Sequence, residues 1–138
     1  MNIFIIDPYY AKSHQYWAEF LQNRLDQDVQ IFKGEAIHWK WQMEAGAIEM
    51  ANQVMNAEKK PDVFLVTDYL NLPLFQSLLP QSYGGCAYIM YMHENQLSYP
   101  RSTRDTDHKN HRDNHYGWIN YTSCLVADRI LFLSLIHI

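Results

Sequence analysis

Glycine and cysteine are scarce in this sequence, and each shortage excludes a class of protein. Five glycines and two cysteines occur among 138 residues, and no glycine-rich loop follows an apolar run. The fingerprints of P-loop proteins and of dinucleotide-binding sites are therefore missing. Cys86 and Cys124 show no metal-binding spacing, so we interpret them as reduced core thiols of a cytoplasmic protein.

Long apolar runs and an excess of positive charge are missing as well. No apolar stretch approaches the roughly 20 residues that span a bilayer, and the N-terminus has no signal-peptide pattern, so we expect no membrane contact. The formal net charge is −4, which gives no overall electrostatic footprint for nucleic acid but leaves a local contact open. The length allows one domain at most, or part of one.

Short apolar runs alternate with helical patterns along the chain. Apolar runs predict strands over residues 2–7, 29–32, 62–68, 86–92 and 129–133. Helical spacing predicts helices over residues 13–25, 41–58, 71–79 and 116–128. Strands without polar alternation, separated by helices, indicate an α/β fold: a Rossmann-like parallel sheet with helices on both faces.

Two of the predicted helices carry apolar stripes that should face the sheet. In the first, Ser13 is expected to be the N-cap, and the stripe comprises Tyr16, Trp17, Phe20, Leu21 and Leu25. In the second, the stripe comprises Met43, Ile48, Ala51, Val54 and Met55.

Polar side chains follow three of the predicted strands. Asp7 and Asp68 each end one apolar run, and His93, Glu94, Asn95 and Gln96 follow another. Ligands of open α/β sheets bind at this carboxyl edge, so the cluster indicates a binding crevice in which His93 acts as a base or a hydrogen-bond donor. The structural alternative is a capped strand end, with the two amides holding a loop. Asp7 and Asp68 are either an acid/base pair or helix caps.

Two further stretches are open to a binding and a structural interpretation. The helix start at Ser13 and His14 suits an anion or a sugar hydroxyl, or else Ser13 is only a cap. Lys40 lies between Trp39 and Trp41, which either stack on a base or sugar or anchor the core.

Residues 101–115 are polar and predict a loop. His108, His111 and His115 have metal-like spacings there, but no cysteine accompanies them, and we expect no metal. The charges sum to +1, which suits a weak phosphate contact or a mobile lid. They are Arg101, Arg104, Lys109 and Arg112 against Asp105, Asp107 and Asp113.

Four stretches in order resemble one known family. They are DPYYAKSHQYW (7–17), HWKWQM (38–43), HENQLSYP (93–100) and HYGWINYTSCLVADRILF (115–132). Together they resemble the N-terminal domain of tRNA-queuosine mannosyltransferases, proteins of the glycosyltransferase-like domain-containing type. The resemblance runs from about residue 3 to Phe132.

This resemblance implies the N-terminal, acceptor-side half of a GT-B glycosyltransferase, over residues 1–132. It implies retaining transfer of mannose from GDP-mannose to the cyclopentenediol of queuosine in aspartate tRNA. The partners would be queuosine-containing tRNA and a nucleotide sugar, with no cofactor and no metal. The donor would bind mainly to a C-terminal domain, so this chain alone is expected to be inactive.

The resemblance also assigns roles to residues. His93 and Glu94 would be catalytic, near the transferred sugar and the acceptor hydroxyl. The substrate-binding residues would be Ser13, His14, Trp17, Lys40, Trp41, Asn95, Gln96, Tyr116, Gly117 and Asn120.

The sequence departs from the family pattern at two places. Ala11 and Lys12 stand where the family often has Gly-Gly, which puts anion binding at that turn in doubt. Residues 133–138, LSLIHI, are what a common transposase sequencing adapter would encode, so we expect a non-native tail without function for Ser134 and His137. The alternative is a natural apolar strand.

A second function class stays open at this point. The chain is alternatively a stand-alone flavodoxin-like module that binds a nucleotide or a protein at its strand ends, without catalysis.

Overall fold

The computed structural model describes residues 1–133 and contains a five-stranded parallel sheet. Its strands are β1 (Asn2–Asp7), β2 (Asp28–Lys33), β3 (Val63–Thr67), β4 (Ala87–Met92) and β5 (Arg129–Phe132). Their order across the sheet is β2-β1-β3-β4-β5, and every neighbouring pair is parallel. The predicted Rossmann-like α/β class is therefore confirmed, and each predicted strand is present.

Five α-helices and one 3₁₀ helix (Gln81–Tyr83) connect the strands within residues 1–133, and the α-helices are numbered in chain order. They are α1 (Lys12–Arg24), α2 (Trp39–Met55), α3 (Leu72–Leu78), α4 (Thr106–Lys109) and α5 (Asn114–Val126). The short helix α4 lies inside the stretch predicted as a loop, because the Asp105 side chain accepts from the backbone N–H groups of Asp107 and His108 and caps it. Within residues 1–133, no helix combines the length and the apolar character needed to cross a bilayer.

The two faces of the sheet are covered differently. On β1, Phe4 and Ile6 pack in the larger core with α2, α3 and part of α5. The alternate residues Ile3 and Ile5 pack in a smaller core with Ala18 of α1. Because side chains of a strand alternate between faces, this parity fixes which polar residues at the strand ends face α1.

The predicted apolar stripes need correction. In α1, Tyr16 and Phe20 are 70% and 58% exposed, and Leu25 is also exposed, while His14 and Ala18 are buried. Trp17 and Leu21 pack partly buried against the smaller core, as predicted, so the buried face of α1 is narrower than the predicted stripe. In α2, Met43, Ala51 and Val54 are buried as predicted, together with Ala47 and Met50, whereas the predicted members Ile48 and Met55 are exposed.

The expected N-cap of α1 is also wrong. Ala11 occupies that position, and no side chain of the described part of the chain caps the helix. Gln15 donates its backbone N–H to Ala11 O at 2.8 Å, so the helix begins before Ser13, whose side chain is left exposed inside the first turn.

Close backbone packing fixes the turn after β1. A Cβ atom added at Gly34 would lie 2.2 Å from Pro8 O, and one added at Gly46 would lie 2.7 Å from Pro8 Cβ. Gly34 also donates its N–H to Asp7 O at 2.9 Å. Pro8 is thus held between the end of β2 and helix α2, and this contact requires glycine at both positions.

Candidate functional site

Three polar side chains at the carboxyl ends of the strands face helix α1. Asp7 continues the row of Ile3 and Ile5, and the Thr67 hydroxyl on β3 reaches Asp7 Oδ1 at 3.0 Å. His93, directly after β4, contacts Trp17 of α1 with ring centroids 4.8 Å apart. We call Asp7 and His93, together with their respective neighbours His14 and Asp68, the strand-end cluster.

Asp7 and His14 form a buried hydrogen-bonded pair. His14 Nδ1 lies 2.7 Å from Asp7 Oδ2, and both residues are almost fully buried. Asp7 Oδ1 accepts from Tyr9 N at 3.1 Å and from Thr67. The carboxylate thus holds the imidazole in one orientation, with Nδ1 occupied.

The negative groups around His14 together raise its pKa by more than its burial lowers it. Burial alone would lower the pKa of His14, but the hydrogen bond to Asp7 and the negative charges of Asp7, Asp68 and Glu94 raise this pKa above its usual value. The imidazole therefore holds a proton to a higher pH than a free histidine does.

His93 is packed tightly but lacks polar partners. Its ring stacks on His14 at a centroid distance of 4.0 Å and an interplanar angle of 18°. Its backbone N–H donates to Asp68 Oδ1 at 2.9 Å. Nδ1 lies 3.4 Å from the same oxygen, but the geometry makes no hydrogen bond, and both ring nitrogens are shielded without a hydrogen-bond partner among residues 1–133. Such unsatisfied buried polar groups are rare in folded proteins, which makes His93 a candidate functional residue.

The strand-end cluster also has the composition of a metal site. Ligand atoms of His14, Asp68 and His93 all lie within 4.8 Å of one another. Imidazole and carboxylate groups suit several divalent metals, so these three residues could hold an ion. The histidines considered from the sequence are arranged otherwise: His108 binds Asp113 at 3.1 Å, His115 binds Glu44 at 2.7 Å, and His111 is exposed.

Glu94 lies next to the strand-end cluster and faces an aromatic group. Its Oε1 accepts from the Tyr69 hydroxyl at 2.6 Å and from Gln96 Nε2 at 3.4 Å. Burial and the nearby Glu94 carboxylate raise the pKa of Tyr69, so the phenol stays a donor.

Helix α5 holds the segment after β4 in place. Asn120 Oδ1 accepts from Gln96 N at 2.7 Å, and Asn120 Nδ2 donates to Asp68 O at 2.8 Å. Arg101 donates to the Gln96 side chain and backbone and pairs with Asp113 at 3.2 Å. Gln96 and Asn120 therefore position the segment, as the structural alternative for this motif expects.

Other candidate residues support this segment from outside. Asn95 Oδ1 accepts from Ser98 N and Oγ, both at 3.1 Å, and stabilises the turn. A Cβ added at Gly117 would lie 2.6 Å from Leu97 Cδ2, so glycine allows Leu97 to lie against α5.

Some side chains of the stretch around Lys40 contact the site, and others lie at the surface. Lys40 Nζ binds Asp105 and Asp107 at 3.0 and 2.8 Å. Trp39 packs on Tyr116 with centroids 5.1 Å apart, and the Tyr116 hydroxyl donates to Glu44. Trp41 and Ser13 are exposed, and no hydrogen bond or aromatic contact among residues 1–133 joins either to the cluster.

Two cavities flank Glu94. One, of about 310 Å³, has walls that include Trp39, Tyr69, Tyr99 and Arg101, and we call it the Trp39 cavity. The other, of about 240 Å³, lies beside Met92, His93, Asn95, Phe132 and Leu133, and we call it the His93 cavity. Of the described side chains, Glu94 alone lines both.

Sequence reasoning missed the partners that organise the site. It named Asp7 and His14 separately but not as a pair, and it gave no role to Tyr69. It placed Arg101 only in a general charge balance. The alternation of side chains along β1 was an available signal, because it places Asp7 on the same strand face as Ile3 and Ile5, toward α1.

The fold and the site define a Rossmann-like α/β domain whose candidate site lies at the carboxyl ends of its strands. This chain belongs to the family of tRNA-queuosine alpha-mannosyltransferase N-terminal domains, whose pattern matches residues 2–138. It is similar to the protein of Drosophila melanogaster named tRNA-queuosine alpha-mannosyltransferase, with 34% identity over 134 residues and 96% of this chain. The chain spans 34% of that relative's length.

The predicted non-native tail stays a prediction. Leu133 donates its backbone N–H to Met92 O at 3.2 Å, whereas Ser134 and His137 lie outside the described residues. The family match includes all of residues 133–138.

Proposed function

We propose that this chain is the acceptor-side half of a cytoplasmic retaining mannosyltransferase that modifies queuosine in aspartate tRNA. The observation that carries the proposal is His93, which lines a cavity beside Glu94 at the strand ends and whose shielded ring nitrogens have no hydrogen-bond partner among residues 1–133. The family membership and the name of the relative support the choice of reaction.

The reaction breaks the bond between mannose C1 and the diphosphate of GDP-mannose and joins C1 to an acceptor hydroxyl. The hydroxyl proton leaves with the diphosphate. In this scheme Glu94 accepts a hydrogen bond from the acceptor hydroxyl, and His93 donates to a hydroxyl of the sugar. Both contacts align the reacting atoms, which is a large part of catalysis in a two-substrate reaction.

The charge of the site supports a division of labour between two domains. Asp7, Asp68 and Glu94 are acidic, and no lysine or arginine among residues 1–133 forms an ion pair with them. A diphosphate would be repelled here, so we propose that its charge is stabilised by a second domain. We also propose that the reaction needs no metal and no cofactor, and that this chain alone does not transfer mannose.

The test uses the longer protein of which we propose this chain is a part. His93→Ala should lower single-turnover transfer of mannose to queuosine tRNA about 100-fold, because a positioned donor is lost. His115→Ala is the matched control, since His115 is exposed and contacts Glu44 and the Tyr116 ring, neither of which belongs to the strand-end cluster. Wild-type turnover in His93→Ala would rule out the role of His93.

The alternative function predicts a different result in a nucleotide-binding experiment. A binding module without catalysis should bind free GDP tightly through this chain alone. Tight nucleotide binding together with no mannose transfer by the longer protein would favour that alternative.

A further inference from the structure

We propose that the Trp39 cavity binds a planar nucleobase that carries a cationic amine, with Glu94 as the counter-ion of the amine. This assignment rests on the proposed function and specifies the part of the acceptor that this chain recognises.

The walls of the cavity suit a flat ring. Trp39, Tyr69 and Tyr99 contribute aromatic surfaces around a volume of about 310 Å³. Trp39 and Tyr69 meet edge to face, with centroids 6.5 Å apart, and Tyr99 is 47% exposed at the rim. Aromatic side chains bind extruded bases by stacking on their faces.

The cations near the cavity are already engaged. Arg101 lies over the Trp39 ring at 5.3 Å, binds Gln96 and pairs with Asp113. Lys40 is held by Asp105 and Asp107. An anionic ligand such as a free phosphate would therefore have to break existing ion pairs.

Glu94, in contrast, lacks a cationic partner among the described residues. Its contacts are the Tyr69 hydroxyl and the Gln96 amide, and both reach the same oxygen, Oε1. A carboxylate beside aromatic faces is the chemical environment that a protonated amine prefers, through charge pairing and cation–π contact.

Queuosine offers both groups in the required order. Its planar 7-deazaguanine ring is joined through a secondary amine to a cyclopentenediol. With the ring in the Trp39 cavity and the amine at Glu94, the diol extends toward His93 and the His93 cavity, because Glu94 lines both cavities. The amine would thus fix how far the diol reaches toward the sugar.

The test compares three RNA hairpins that differ at one nucleotide. They carry guanosine, 7-aminomethyl-7-deazaguanosine (an amine without a diol) or queuosine. The longer protein should bind the aminomethyl hairpin about tenfold more tightly than the guanosine hairpin, because of the charge-assisted contact. Glu94→Gln should reduce this preference to within about twofold, while Glu49→Gln, an exposed change on α2, should keep it.

Trp39→Ala should weaken binding of the guanosine and aminomethyl hairpins alike, since it removes stacking but not charge. Tyr69→Phe keeps the cavity wall and the Glu94 carboxylate, so this variant should keep the amine preference. It supplies a second measurement if Glu94→Gln is poorly folded. Equal binding of the guanosine and aminomethyl hairpins by the wild-type protein, or an unchanged preference in folded Glu94→Gln, would overturn the assignment.

The same preparation separates this assignment from the proposed function. Mannose transfer to queuosine tRNA without an amine preference would leave the proposed function standing and refute the cavity assignment. An amine preference without transfer would do the reverse.

Discussion

The strand-end cluster and the connection between β4 and α5 (residues 93–113) both depend on charged groups, but they hold them differently. The cluster is buried under α1, where Asp7 is fully enclosed and His14 is 4% exposed. Part of the connection is held near the surface by Lys40 with Asp105 and Asp107, whereas the Arg101–Asp113 pair within it is largely buried. The cluster fixes one geometry, and the Lys40 pairs can rearrange at a small cost in free energy.

The physical basis of this contrast is the access of water to the charged groups. A buried charge that loses its partner stays desolvated, whereas a surface charge regains water. The site therefore joins a rigid sheet edge, which presents His93, to a connection that presents Arg101 and Tyr99 to the Trp39 cavity and whose Lys40 pairs are more adjustable. We expect changes in the cluster to affect folding strongly and changes in the Lys40 pairs to affect it weakly.

The largest effect should come from Asp7→Ala. This change leaves His14 Nδ1, the Thr67 hydroxyl and Tyr9 N without their acceptor, so the free energy of unfolding should fall by about 3 kcal/mol. Urea unfolding measures it. Asp28→Ala removes a carboxylate from the exposed pair with Lys59 and should stay near wild type. Equal losses in the two variants would contradict the contrast.

A smaller effect should appear in the pH dependence of stability. The folded pKa of His14 is raised above its unfolded value, so the stabilisation is complete below about pH 6.5 and is lost as the pH rises through the folded pKa. Unfolding at a series of pH values, with NMR titration of the His14 ring, measures both quantities. Asp7→Asn should lower the ring pKa and flatten the curve. A His14 midpoint at or below the ordinary histidine value would contradict this sign.

The smallest effect should come from Lys40→Ala in the connection. Lys40 is partly exposed and its two ion pairs are screened, so the loss should be at most about 1 kcal/mol and should shrink in high salt. Unfolding in low and high salt measures it. A loss as large as that of Asp7→Ala would show that the connection is as rigid as the cluster.

The same contrast explains how far the sequence could predict this molecule. The strands were predictable because runs such as residues 2–7 and 86–92 are apolar without interruption, and the polar groups after them marked the binding edge. The alternation along β1 indicated that Asp7 faces α1, but the distance from Asp7 to His14 was not predictable, because the turn between them contains Pro8, which packs against two glycines far away in the sequence. The connection was harder still, because contacts such as Lys40 with Asp105 join residues far apart in the chain.

The Pro8 contact has a consequence for how this domain can vary. Gly34 and Gly46 fix the position of Pro8. The number of residues between Asp7 and His14 therefore determines whether the two side chains can meet. One residue inserted between Lys12 and His14, inside the first turn of α1, would rotate His14 by about 100° relative to the start of the helix, away from the carboxylate. Insertions and deletions should therefore be excluded from this turn even where substitutions are allowed, and the spacing of the two residues should be more constrained than the residues between them.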